Sequence, residues 1–371
     1  MCGIVGYLGH RPALDVVLQG LGRLEYRGYD SAGVAVLDGA GGLAVQRTAG
    51  PLVNLVSRLD AAGRDGFGGT AGMGHTRWAT HGAPTDRNAH PHLDSTARLA
   101  VVHNGIIENF VQLRTELEAA GVELSSDTDT EAAAHLIAAQ YTCCGNLADA
   151  VRAVCRRLEG AFTLVVTHAD EPDLVVAARR SSPLVVGVGK GEHFVASDVA
   201  AFIEHTREAV ELGQDQVVTI IWEGYEVTDF AGADTATRFF HVDWDLSAAE
   251  KGGHDYFMLK EIQEQPGAVA DTLRERRSPA ANRGSPLTVV APAPRPGHEL
   301  IWRVQRDHSR ARRPELRGAR STSPKVRRPC HVGRPHVPAS QGPSLHSGSP
   351  RSPMPYRCGS GDRLRPVRRG S

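Results

Sequence analysis

Cysteine is scarce in this chain, with six in 371 residues and only Cys143 and Cys144 adjacent. That scatter argues against a disulfide framework and makes a reducing cytoplasm the expected compartment. Long apolar runs are also missing. None approaches the ~18 residues that a membrane-spanning helix needs. The opening Met1-Cys2-Gly3-Ile4-Val5-Gly6 has no basic residue ahead of its apolar ones, so no secretory signal is expected. No self-similarity appears at the roughly 20–50-residue period of repeat folds. Net charge is absent as well: 42 Lys+Arg stand against 42 Asp+Glu.

That zero conceals two opposite parts. Residues 274–371 hold 22 of the 42 basic residues and 5 of the 42 acidic ones, a net of +17, which leaves −17 on the first 273 residues. The same segment holds 15 of the 22 prolines, and only 13 of its 98 residues are Leu, Ile, Val or Phe. A highly charged chain with less than ~20% of these residues cannot bury enough apolar surface to offset its ordering entropy. Lys325 is a single lysine beside 21 arginines, and Arg, Pro, Ser, Gly, Ala and His dominate, as in a GC-rich gene read out of frame. The chain thus divides into an acidic body with ample apolar runs for a core and a basic tail. The tail is expected to be disordered, a frameshift product or truncation scar. Its positive charge would give salt-dependent affinity for phosphates. With Trp302 and Tyr356 as its only large stacking side chains and no recognisable module, nucleic acid is not an expected partner.

In the body, residues 2–8 read as a strand. Pro12 opens a helix carrying Leu14, Val17, Leu18, Leu21 and Leu24 at helical spacing. Strands are expected at 33–37 and 43–47, a helix after Pro51, and a buried strand at 97–103 running into the turn dipeptide Asn104-Gly105. Phe110, Leu113 and Leu117 mark a helix ending near Gly121. The segment Thr128-Asp129-Thr130-Glu131 has the form of a capping box and starts another helix through Gln140. Leu147, Val151, Val154 and Leu158 give a further helix, closed by Gly160. Strands follow at 162–167, 174–177, 184–188, 194–196, 217–222 and 225–228. Helices in blocks and many short strands favour stacked sheets covered by helices, an α+β arrangement, over βαβ alternation.

Four constellations carry chemistry. Removal of Met1 would leave Cys2 with a free α-amino group. That amine has a pKa of ~7.7–8, close enough to a thiol's ~8.5 to serve as its base. One residue would then be nucleophile and base together; Cys2 alone also reads as a small buried cysteine at a strand start. The run 74–82 places His75, Thr76, Arg77, Trp78, Thr80 and His81 within nine residues. Its arginine can clamp a carboxylate bidentately, and the run can equally be a polar loop anchored by Trp78. Asn104 and the Gly105 N–H could form an oxyanion hole or an ordinary hairpin turn. Asp129 could hold an ammonium or merely complement a helix dipole. His90-Pro91-His92 is weak as a metal site and reads as a polar loop. Cys143, Cys144 and Cys155 read as packing residues on helices.

Taken together, CGIVG at 2–6, RLEYRGYDSAG at 23–33, GHTRWATHG at 74–82, NAHPH at 88–92, HNGIIEN at 103–109 and TDTE at 128–131 resemble one family. SPLV at 182–185, ASD at 196–198 and KEIQEQP at 260–266 add to the match. The family is the glutamine–fructose-6-phosphate aminotransferases (isomerising), and the resemblance is to their class II glutamine amidotransferase domain. It covers residues 2–273, and the runs at 23–33 and 260–266 favour it over the amidophosphoribosyltransferase type. The resemblance implies a four-layer αββα sandwich of the N-terminal-nucleophile hydrolase fold. It implies a glutaminase domain at 2–240 and a linker at 241–273 leading toward sugar-isomerase domains, of which 274–371 shows no pattern. It assigns Cys2 as nucleophile, Asn104 and Gly105 as oxyanion donors, Arg77 to the α-carboxylate of glutamine and Asp129 to its α-amine. Trp78, Thr80 and His81 fall on a closing loop, and Arg27 lies near the nucleophile. No cofactor and no metal are implied. Glutamine is the implied substrate, with fructose 6-phosphate only where an isomerase half is supplied; the family's members are homodimers.

Brief proteolysis is expected to trim the chain back to near Leu273 and leave the body intact. A protease-resistant tail with its own cooperative unfolding would overturn that expectation.

Overall fold

The computed structural model describes residues 2–38 and 41–243 and parts of 259–269. The expected tail at 274–371 and most of the 241–273 linker lie outside the described residues. The order is β1 (Gly3–Gly9), α1 (Ala13–Leu24), β2 (Ser31–Leu37), β3 (Leu43–Ala49), α2 (Leu52–Ala62), β4 (Ala71–Arg77), β5 (His92–Leu93), β6 (Leu99–Ile107), α3 (Phe110–Ala119), α4 (Asp129–Cys144) and α5 (Leu147–Cys155). There follow β7 (Gly160–His168), β8 (Val175–Arg180), β9 (Val185–Val188), β10 (Glu192–Ala196), β11 (Glu208–Glu211), β12 (Gln216–Ile221), β13 (Gly224–Asp229) and β14 (Arg238–His241).

The strands form two sheets, ordered β14-β11-β9-β10-β1-β4-β2-β3 and β13-β12-β8-β7-β6-β5. Side chains alternate across each strand, and the alternation separates three apolar layers. Val5, Tyr7, Val34 and Val36 face α1 and α2. Ile4, Leu8, Ala35 and Met73 point the other way and meet Val102, Val165, Ala177 and Val218 of the second sheet. The far side of the second sheet, with Val101, Leu164 and Val166, packs on α3, α4 and α5. The result is the four-layer αββα sandwich. Both faces of both sheets are covered, so β1, β2 and β4 are buried along their whole length. No helix of the described residues is long and apolar enough to cross a membrane.

Several expectations are corrected. Asn104 and Gly105 are not a turn: β6 continues through them to Ile107, pairing Asn104 with Thr163 and Gly105 with Phe162. The dipeptide is recruited into the ladder because β7 supplies a long partner on that edge. β4 escaped the sequence reading because glycine and polar residues dominate AGMGHTR. The small residues are needed there, since a Cβ on Gly74 would press on Val17 and Leu21 of α1. β5, β11 and β14 were also unanticipated, being short edge or near-edge pieces. α4 runs past Gln140 to Cys144, where Gly145 ends it in the left-handed region. α5 stops at Cys155, and Gly160 begins β7 instead of capping the helix.

Met73 is fully buried between the sheets. Met73→Ala is expected to cost about 2–5 kcal/mol, the range for truncating a buried methionine, measured by denaturant unfolding.

Candidate active site

The antiparallel register Gly3↔Thr76 puts the start of β1 beside the end of β4. Cys2 therefore lies where β4 leaves the sheet. The Trp78 N–H donates to its Sγ at 3.2 Å, and the Sγ lies 3.5 Å from the Trp78 carbonyl. Burial pushes the Cys2 thiol above its ordinary pKa, against the pull of the Trp78 N–H. The thiol form is thus favoured, and a base is needed to make it a nucleophile.

The second sheet supplies the facing groups. Asn104 Nδ2 donates to the Cys2 carbonyl at 3.0 Å. On its other side, Asn104 Oδ1 lies 3.1 Å from His75 Nε2, which is also 3.1 Å from the His103 carbonyl. Gly105 has φ of 129°, a conformation that favours glycine, and a Cβ there would collide with the Ala161 carbonyl. Only glycine fits the strand beside Asn104.

Arg77 ends β4 almost fully buried. Its guanidinium donates to the carbonyls of His81, Gly82 (3.1 Å) and Ala83 (3.4 Å), so it curls the following loop around itself. Burial lowers its pKa, opposed by Cys2, Asp129 and Asp30. Asp30 holds the loop root by accepting from Ala79 N–H at 2.7 Å and donating its own N–H to the Arg77 carbonyl at 2.9 Å. Gly28 lets this joint close, because a Cβ would lie 2.6 Å from the Arg77 carbonyl carbon. Beyond it, Trp78, Thr80 and His81 are exposed, with Trp78 edge-on to Tyr29 and His81 edge-on to Phe110.

Asp129 begins α4 and is buried. Its Oδ2 accepts the Ile107 N–H at 2.8 Å, tying the helix start to the end of β6. Burial alone would raise its pKa, but neighbouring His103 and that N–H hold it down to about 2. The expected capping box is absent. Glu131 accepts from the N–H and hydroxyl groups of Ser125 and Ser126, at 2.6–2.7 Å, instead of from Thr128. The Thr128 hydroxyl faces His92 Nε2 at 2.9 Å.

Residues 75–204 match the glutamine amidotransferase domain family. The chain carries a glutamine amidotransferase domain. Among curated relatives, the glutamine–fructose-6-phosphate aminotransferases (isomerizing) of Mycolicibacterium smegmatis and Streptomyces coelicolor are each 66% identical, over 284 and 276 residues. The aligned part is 74% of this chain but 45% and 44% of those proteins, so the chain spans less than half the length of these relatives. Among solved structures, the glutamine phosphoribosylpyrophosphate amidotransferase of B. subtilis aligns with TM-score 0.52 at 27% identity, over 62% of this chain and 49% of that one. The allosteric regulatory enzyme of purine biosynthesis aligns with TM-score 0.53 at 28% identity, again over 62% of this chain and 49% of that one.

The amidotransferase domain brings Cys2, Asn104, Gly105, Arg77, Trp78 and Asp129 to the ends of β1, β4 and β6 and the start of α4. The Arg27 guanidinium pairs with Asp198 at 2.6 Å and bonds Tyr26. This pair flanks Ser197, whose hydroxyl accepts the Ile4 N–H at 3.1 Å, so it braces the strand that carries Cys2. Cys143 and Cys144 are exposed and Cys155 is buried. Among the described residues no group of three or more His, Cys, Asp or Glu is arranged to hold a metal.

Sequence reasoning missed a layer of buried histidines behind the site. His90 and His92, expected in a polar loop, are buried, 5% and 1% exposed, and His92 begins β5. His90 packs against His75 at 4.3 Å and meets the Thr130 hydroxyl at 2.8 Å, which His103 Nδ1 also meets at 3.0 Å. The close sequence spacing of hydroxyls and imidazoles in the NAHPH and TDTE runs was the available signal. Burial holds His75 and His92 at about 3 and His90 well below its ordinary value.

Because these folded-state values are depressed, the unfolded chain takes up protons first as pH falls. The stabilising contribution of the neutral rings is fully present above about pH 6.5 and is lost as pH falls toward about 3. Unfolding free energy is therefore expected to drop through that window. His92→Gln should flatten the slope by one proton, about 1.4 kcal/mol per pH unit, read from urea unfolding across the range.

Proposed function

We propose that residues 2–240 form a glutaminase domain that hydrolyses glutamine to glutamate and ammonia, with 241–273 as a linker. The observation that carries the reading is the meeting of Cys2, at the mouth between the sheets, with the Asn104 amide nitrogen 3.0 Å from its carbonyl. In this reading Met1 is removed and the freed α-amine of Cys2 takes the thiol proton. The Sγ attacks the side-chain carbonyl carbon of glutamine. Asn104 Nδ2 and the Gly105 N–H stabilise the oxyanion. The ammonium then returns the proton to the leaving nitrogen, ammonia departs, and water cleaves the thioester to release glutamate.

Arg77 takes the α-carboxylate of glutamine by exchanging loop carbonyls for a charged acceptor, and Asp129, ionised over the working pH range, takes the α-ammonium. Trp78, Thr80 and His81 close over the substrate and keep water from the thioester. Arg27 keeps β1 in place through Asp198. The relatives' names support fructose 6-phosphate as the acceptor where an isomerase half is supplied.

Cys2→Ala is expected to abolish glutaminase activity, whereas Cys144→Ala leaves it intact. Intact mass of active protein should lack one methionine; full activity with Met1 retained would sink the N-terminal-nucleophile assignment. Arg77→Ala should raise KM for glutamine at least about tenfold, since a buried charge partner is lost. With glutamine and fructose 6-phosphate together, this chain should yield glutamate without aminosugar. Stoichiometric glucosamine 6-phosphate would overturn that last point and leave the glutaminase reading standing.

A further inference from the structure

We propose that His75 is a positioning residue that holds the Asn104 side-chain amide with its nitrogen turned toward Cys2. The inference rests on the glutaminase reading for its catalytic consequence, but its geometry stands apart from it. An asparagine amide is nearly symmetric in shape, and an oxyanion donor is useful only if nitrogen faces the reacting carbonyl. Something must therefore break the symmetry.

The fixed point is a main-chain group. The His103 carbonyl, part of β6, lies 3.1 Å from His75 Nε2 and can only accept. Nε2 must then carry the single ring hydrogen. The same N–H faces Asn104 at 3.1 Å, so the amide atom on that side is Oδ1. Planarity puts Nδ2 on the opposite side, 3.0 Å from the Cys2 carbonyl. A flipped amide would set NH2 against N–H at His75 and oxygen against oxygen at Cys2, leaving two partly buried contacts unmade.

The other ring nitrogen agrees. His75 Nδ1 has no hydrogen-bond partner among the described residues, and the ring is fully buried. A hydrogen on Nδ1 would be an unpaired buried donor, whereas a bare lone pair there is the lesser penalty. The ring cannot turn freely, because it packs against the His90 ring, tilted at 35° with centroids 4.3 Å apart, and His90 is itself bonded to Thr130. Burial keeps His75 neutral, with its pKa at about 3, so the same tautomer serves over the working range.

The test compares two substitutions in the full chain. An asparagine amide reaches only as far as the imidazole Nδ1 position, while a glutamine amide reaches that of Nε2. His75→Asn is expected to lower glutaminase kcat at least about tenfold with KM for glutamine within about twofold, since only transition-state stabilisation is lost. His75→Gln should keep kcat within about threefold of wild type, and in an Asn104→Ala background His75→Asn should cost nothing further. Equal losses in both variants, an undiminished loss in the Asn104→Ala background, or unchanged kcat in His75→Asn would overturn the proposal. Tautomer-sensitive 15N NMR of histidine-labelled wild type gives a readout that needs no variant to fold: His75 should carry its hydrogen on Nε2, and a hydrogen on Nδ1 refutes the assignment. If wild type shows no glutaminase activity, or Cys2→Ala retains it, the functional reading fails first. If Cys2→Ala abolishes activity and His75→Asn does not alter it, this inference alone falls.

Discussion

Everything at the site depends on two sheets sharing one apolar layer. Ile4 and Met73 of one sheet meet Val102 and Val165 of the other, and that contact fixes the distance and offset between β1 and β6. Cys2 leads into β1 two residues before Ile4, and Asn104 follows Val102 by two. The residues that do the packing and the proposed site residues are thus neighbours in sequence at the same strands. A one-residue slip of β1 against β4 would turn Ile4 and Leu8 out of the layer and carry Cys2 away from Trp78. The cost of exposing that layer is what holds Cys2 in register.

Polar groups buried beside such a layer must satisfy one another. The Thr130 hydroxyl donates toward Asp129 at 3.4 Å and lies 2.8 Å from His90 Nε2 and 3.0 Å from His103 Nδ1. His75 Nδ1, His90 Nδ1 and His103 Nε2 have no hydrogen-bond partner among the described residues. The network lies in an interior that penalises unpaired polar groups. It also connects the start of α4 to the ends of β4 and β6 by hydrogen bonds with directional preference, where apolar contacts alone would leave side chains free to rotate.

Arg77 obeys a different constraint. A buried guanidinium cannot shed its charge, so it must be surrounded by acceptors. The loop after β4 provides them as main-chain carbonyls of residues 81–83. Asn88 fastens the far end by donating to the Ala83 carbonyl at 3.0 Å and to Asp127 at 3.1 Å. The exposed stretch from Trp78 to His81 is therefore held at both ends while its side chains face outward. That arrangement suits a segment that has to meet a ligand and then release it.

Much of this was legible in the order of residues. Periodicity exposed α1, α3 and α5, alternating or apolar runs exposed most central strands, and the family resemblance carried by the motifs joined Cys2, Arg77, Asn104 and Asp129. These signals are local: a helix face or a short strand is encoded within a few turns of chain. What stayed hidden is what depends on a distant partner. β4 is a strand because β1 and β2 flank it, although its glycines argue against one. Asn104-Gly105 is ladder instead of turn because β7 lies alongside. His90 and His92 become interior groups only when the end of the second sheet and the start of α4 close over them. The sequence by itself determined which residues could do chemistry and which faces had to be buried, because side-chain type and period are properties of the chain. Only the tertiary structure decided which nitrogen of His75 bears the hydrogen and which way Asn104 turns, because those follow from carbonyls and hydroxyls contributed by strands and helices far apart in the chain.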